Sequence, residues 1–166
     1  MVRRRVYTSL YASLLFTVLG LIAWTTGRAF VFPSLGPSAY ILAFDRRADR
    51  ARSYRVVGSH LIGAVAGLLA YTLIAEGVAL TASTPPFSTD GLRLAASGVV
   101  SIALTTWAMI ATDANHAPAC ATTRSVSRGL LSTPVAVGSI VAAVVVLVTV
   151  HGAVVAAADG VRARLE

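Results

Sequence analysis

Four stretches of this chain stay apolar for about the thickness of a bilayer. They run Val6–Gly27, Val56–Ala75, Leu92–Thr112 and Pro134–Ala158. A helix needs roughly 20 such residues to cross the hydrocarbon core. Only the third stretch carries a charge, Arg93, near its start. With 56% hydrophobic residues, the chain is too apolar for an ordinary soluble domain. The expected class is an all-α membrane protein forming a single transmembrane domain over residues 1–166. Arg3, Arg4 and Arg5 before an apolar run resemble a signal peptide, but the run is too long for one and further spans follow. It reads as a retained first helix.

The net charge of +7 comes entirely from arginine. Without aromatic residues interleaved among the basic ones, nucleic acid is not the expected partner. The arginines instead read as loop charges that set orientation in a lipid bilayer. Cys120 is the only cysteine, which rules out an intrachain disulfide or a cysteine metal site. No cofactor and no metal site is expected.

Between the full spans lie two broken apolar segments in matching positions. The first is Phe30–Phe44, FVFPSLGPSAYILAF, and the second is Asn115–Thr123, NHAPACATT. Pro33, Gly36 and Pro37 forbid one continuous helix in the first, and Pro118 plays that part in the second. Arginine counting tests whether the first segment crosses. If it does, Arg3, Arg4, Arg5, Arg46, Arg47, Arg50, Arg52, Arg55, Arg162 and Arg164 lie inside, against Arg28, Arg93, Arg124 and Arg128 outside. If both segments turn back, the cluster from Arg46 to Arg55 moves outside and the bias is lost. The positive-inside rule therefore favours crossing. Length permits it: five extended residues reach about 16 Å, and ten helical ones add about 15 Å.

Each half then has three crossings, and an odd number inverts the second half. The expected fold is four full transmembrane helices plus two broken half-helix segments in an inverted 3+3 repeat. Repeat one covers about residues 6–76 and repeat two about 92–158. Both termini and the loop Asp45–Arg55 are expected in the cytoplasm, with Gly77–Gly91 outside. Paired broken segments in a repeated membrane protein are the best sequence pointer to a transport site.

The half-helices are expected to start near Pro37 and Pro118 and to run in opposite directions from the midplane. Ser34 or Ser38 would cap the first. Both N-termini would then face the centre, each with open N–H groups and roughly half a positive charge. Two such ends suit an anion, with hydroxyls from Ser34, Ser38, Thr122 and Thr123 as added donors. His116 has two compatible readings: it donates to the anion or carries a proton with it, or its ring ties down the broken backbone. Asp113 either pairs with His116 or sits at the cytoplasmic interface. His60 shares a helical face with Gly63, Ala64, Gly67 and Tyr71. That face reads mostly as packing, Gly63 and Gly67 forming a GxxxG pair, with His60 a second polar group of the pathway. His151 in the last span has no polar companion nearby and reads as packing. Glu76 is expected to face water.

The stretch Asn115-His116-Ala117-Pro118-Ala119-Cys120-Ala121-Thr122 resembles the His-Pro-Pro signature of the HPP integral membrane family. Phe32-Pro33-Ser34-Leu35-Gly36-Pro37-Ser38-Ala39 resembles that family's earlier small-residue segment. Arg55-Val56-Val57-Gly58-Ser59-His60-Leu61-Ile62 resembles its motif at the start of the next span. The likeness covers about residues 10 to 155 and departs at Ala117, where the signature has proline. Members are linked to nitrite transport in chloroplasts and cyanobacteria, so the resemblance implies a small-anion transporter.

The substrate-binding candidates are Ser34, Gly36, Ser38, Ala39, His60, His116, Ala119 and Thr122. The expected activity is transport or channelling of a small inorganic anion, nitrite first, in the inner or plasma membrane. A membrane enzyme and a non-transporting structural or sensory protein are the alternatives. Against an enzyme stands the lack of paired carboxylates, HExxH or a nucleophile elbow. A chain this short has little protein with which to shield two broken segments, so a homo-oligomer is expected.

Overall fold

The computed structural model describes residues 2–27, 31–45, 50–80 and 84–165. Phe30, Arg28 and residues 46–49 of the Asp45–Arg55 loop therefore lie outside the described residues, as do 81–83 of the Gly77–Gly91 loop. Among the described residues six α-helices follow one another: α1 Val2–Thr26, α2 Leu35–Phe44, α3 Arg50–Ala70, α4 Thr89–Ala111, α5 Ala119–Ser127 and α6 Pro134–Arg162. No strand occurs among the described residues. The last turn of α3 widens into a five-residue π-helical stretch, Tyr71–Ala75.

Four helical stretches are long and apolar enough to cross a bilayer: Arg3–Thr26, Arg52–Ala75, Thr89–Ala111 and Pro134–Arg162. They match the four apolar stretches of the sequence and extend each by a few residues. Their ends have local causes. Ser88 caps α4 by accepting from the Gly91 N–H at 3.1 Å, and Thr133 caps α6 by accepting from Ala136 N–H at 3.2 Å. Pro134 occupies the first turn of α6, where a missing N–H costs nothing. Arg93, the one charge of its apolar stretch, closes the helix before its own. Its guanidinium donates to the carbonyls of Ile74 and Glu76 at 2.9 and 3.0 Å, the orphan acceptors at the π-helical end. Glu76 itself is exposed.

Helix α3 packs against α4, α5 and α6, while α1 lies on α2 and α6. The buried apolar core joins Leu15 and Leu19 of α1, Leu35 and Leu42 of α2, Val56 of α3, Val126 of α5, and Ile140, Val144 and Leu147 of α6. Large apolar side chains also cover the outside, Trp24 (82% exposed) and Trp107 (72%) among them. An exterior this apolar fits a lipid surround and would be a liability in water.

Helices α3 and α5 approach tightly at the GxxxG pair. A Cβ on Gly63 would sit 2.6 Å from Thr123 Oγ1 and 2.9 Å from the Ala119 carbonyl oxygen; one on Gly67 would sit 2.9 Å from the Thr123 oxygen. Glycine at both places lets α5 lie against α3 backbone to backbone, and that contact sets the position of the α5 first turn.

Candidate functional site

The two short helices begin beside each other inside the bundle. Helix α2 opens at Leu35, two residues before Pro37, with Ser34 as its N-cap. Helix α5 opens at Ala119, with Pro118 as its N-cap. Ser38 is the fourth residue of α2 and Thr122 the fourth of α5. Ser34, Ser38 and Thr122 are all essentially inaccessible.

Around these hydroxyls stand two histidines from other elements. His60, fully buried, projects from α3; His116, 7% exposed, sits in the turn between α4 and α5. Ser38 Oγ lies 3.0 Å from His60 Nε2 and 2.9 Å from His116 Nε2, so one hydroxyl bridges both imidazoles. Ser38 also reaches the Ser34 carbonyl at 3.1 Å. On its other side, His60 Nδ1 lies 2.8 Å from Thr122 Oγ1, and Thr122 is 2.8 Å from Ser34 Oγ. The rings are 5.5 Å apart at 54°. Five side chains from three helices and one turn thus form a closed hydrogen-bonded cluster.

Of the four imidazole nitrogens, only Nδ1 of His116 has no hydrogen-bond partner among the described residues. No sealed polar side-chain atom among those residues is left without one. That nitrogen is therefore open at the edge of the packed core. No set of three or more His, Cys, Asp or Glu stands together among the described residues, so the cluster offers two imidazoles and hydroxyls rather than a metal cage.

The turn that delivers His116 is fixed from both sides. Helix α4 ends with Asp113 in the left-handed region (φ 52), a conformation Asp tolerates. Tyr54 Oη donates to the Thr112 carbonyl at 3.0 Å, and Arg55 pairs with Asp113 at 3.5 Å at the exposed rim. Asp113 is thus turned to Arg55 rather than to His116. Arg52 lies across the end of α2, donating to the carbonyls of Asp45 (2.7 Å) and Ile41 (3.1 Å) and pairing with the Asp45 carboxylate at 3.0 Å.

Of the eight candidates, the structure joins Ser34, Ser38, His60, His116 and Thr122 directly. Ala39 and Ala119 are buried beside them in the first turns, and Gly36 is half-buried in the same turn of α2. Other expectations are corrected. Neither Ser34 nor Ser38 caps α2 through its side chain; both hydroxyls are drawn into the cluster. The open N–H groups are absent at α5: those of Ala119, Cys120 and Ala121 donate to the carbonyls of His116, Ala117 and Pro118 at 3.0–3.1 Å, a tightened first turn. At α2, Leu35 N–H donates to Phe32 in the same way. Thr123 turns from the cluster to Thr105 of α4 at 3.0 Å. His151 does have a polar companion, Tyr11 of α1, whose Oη is 2.9 Å from Nδ1.

Sequence reasoning missed a buried hydroxyl face on α4, Ser97, Ser101 and Thr105. Their spacing of four was the available signal.

Apolar helices of bilayer length around a buried polar cluster define a multi-pass integral membrane protein. A family model of the HPP transmembrane region matches residues 1–158, and the chain belongs to that family. No curated protein and no solved structure matches the chain.

Proposed function

We propose that the chain carries a small monovalent inorganic anion, nitrite first, across the inner or plasma membrane, and that it is a transporter rather than an enzyme. The observation that supports this most is the buried cluster itself. It gathers N–H and O–H groups from Ser34, Ser38, His60, His116 and Thr122. No carboxylate is within hydrogen-bonding distance of either imidazole among the described residues. A polar site inside a membrane protein that excludes negative side chains suits a negative guest.

Helix direction supports the same reading. Helices α2 and α5 have ten and nine residues, about 15 and 14 Å of length, half of what a crossing needs. In this reading they are half-helices that start at the midplane and run to opposite faces. The order long–short–long occurs twice, as α1–α2–α3 and α4–α5–α6, the inverted 3+3 repeat. The N-terminal ends of both short helices then add partial positive charge at the centre. With the first-turn N–H groups of α5 and the Leu35 N–H of α2 engaged, binding falls mainly to the side chains and the dipoles act at longer range. Both termini lie in the cytoplasm, and a second copy of the chain covers the outward Tyr40 and Phe44 of α2 in a homo-oligomer.

The test is uptake of labelled nitrite by liposomes holding the purified protein. His116→Ala is expected to lower uptake at least about tenfold while the helix content stays intact. Normal uptake from folded His116→Ala would reduce His116 to a strut, and no uptake from the wild type would overturn the reading.

A further inference from the structure

We propose that the cluster takes up one proton with each anion, His116 receiving it at its open nitrogen and Ser38 relaying it to His60. The inference rests on the anion-transport reading and adds the coupling.

Protons and lone pairs in the cluster can be counted. A hydroxyl has one proton to give and two lone pairs; a neutral imidazole has one N–H and one acceptor nitrogen. Thr122 donates to Ser34 Oγ, so His60 Nδ1, 2.8 Å from Thr122, is the donor of that contact. His60 Nε2 is then a lone pair, and Ser38 gives it its single proton across 3.0 Å. Ser38 in turn accepts from His116 Nε2–H at 2.9 Å. Both histidines are then neutral, Ser38 divides its one proton between His60 Nε2 and the Ser34 carbonyl at 3.1 Å, and Nδ1 of His116 is a bare lone pair at the edge of the core.

A proton arriving there has a defined route. It bonds to His116 Nδ1. The N–H at His116 Nε2 breaks as its proton passes to Ser38 Oγ, and the original Ser38 proton passes to His60 Nε2. One proton enters and two shift by one bond each. His116 ends neutral as its other tautomer, and His60 ends as an imidazolium. Ser38 then turns its new proton to the Ser34 carbonyl, 3.1 Å away and already in place as an acceptor, or back to His116 Nε2. No heavy atom moves.

The new charge needs a counter-ion, and among the described residues the surroundings supply none. Toward His60 and His116, α2 presents Ser34 and Ser38, α5 presents Thr122, and α3 adds Ser59, turned to the Val56 carbonyl. On α4 the nearest hydroxyl, Thr105, is spent on Thr123. The described charged groups near the site are Arg52, which is paired with Asp45, and Asp113, which is paired with Arg55 at the rim. His151 of α6 is bonded to Tyr11 of α1. The anion itself is therefore the counter-charge, and anion and proton load together as a neutral pair.

Proteoliposomes with a trapped pH-sensitive dye and an inward nitrite gradient test this, with protein-free vesicles subtracted for passive acid leak. Expected results are acidification matching nitrite uptake one for one, indifference to an imposed potassium diffusion potential, and uptake several-fold faster at an external pH one unit below neutral. Ser38→Ala, which removes the one hydroxyl that bridges both imidazoles among the described residues, is expected to lower the proton-to-anion ratio at least about fivefold, and Ser38→Thr to restore it. Nitrite uptake driven by the membrane potential without acidification overturns the coupling and leaves anion transport standing. An unchanged ratio in folded Ser38→Ala overturns the relay. If that variant does not fold, the wild-type ratio and potential dependence decide alone. No uptake of any anion by folded wild-type protein overturns the transport reading beneath it.

Discussion

Ser38 does what no single histidine in this chain does: it touches both imidazoles and the α2 backbone with one oxygen. Its place was partly legible in the sequence, because a serine four residues after Ser34 in a proline-broken segment has few reasons to be apolar-facing. His60 was harder to place. Its neighbours at three and four residues are glycine and alanine, which read as packing, and its partners Ser38 and Thr122 are 22 and 62 positions away. The packing part of that face is equally real. At Gly63 an added methyl would press on Thr123 Oγ1 and the Ala119 carbonyl, and the carbonyl is backbone that cannot yield. Gly63→Ala is expected to destabilise the fold by about 1–3 kcal/mol, the usual penalty for overpacking. Thermal unfolding in detergent would show it as a lowered midpoint. Gly98→Ala, where the added Cβ meets nothing within 4 Å, should leave the midpoint unchanged, and equal effects would undo this account of the α3–α5 contact.

Among the elements, the long helices were legible and the short ones only in outline. Bilayer thickness forces long apolar runs, so sequence length alone locates α1, α3, α4 and α6. Proline and glycine mark where a helix breaks, but which turn it then makes depends on contacts made elsewhere. Pro37 does fall in the first turn of α2, as its fixed φ suits. Yet the first-turn N–H groups of α5 close on their own chain. The π-helical widening at Tyr71–Ala75 and the Tyr11–His151 pair had no local signal; the latter joins residues 140 apart. Arg52 shows how an element can be held from another: its guanidinium covers the last carbonyls of α2, where a cation also meets the negative end of the helix. Arg52→Gln is expected to cost about 0.3–1 kcal/mol and to loosen α2. Hydrogen exchange should speed up in Leu35–Phe44 before it does in α6; protection unchanged across α2 would show that the cap is incidental.

For the whole molecule, family and class stand on a match over residues 1–158 and on four helices of spanning length. Orientation stands on arginine placement, and it makes a clear prediction. In a Cys120→Ala background, Ala48→Cys should be labelled only from the cytoplasmic side and Asp90→Cys only from outside. Labelling of position 48 from outside would replace the inverted repeat with two re-entrant segments. The central claim is that the buried cluster recognises a monovalent anion, and competition for labelled nitrite uptake tests it most directly. In the proposed arrangement, two half-helix ends would offer about one positive charge between them, enough for one negative charge and too little for two. Nitrate and chloride should therefore compete with nitrite, sulfate should not, and Ser38→Asp should abolish uptake by fixing a negative charge in the cluster. Uptake of sodium or potassium with no dependence on the anion would contradict the account.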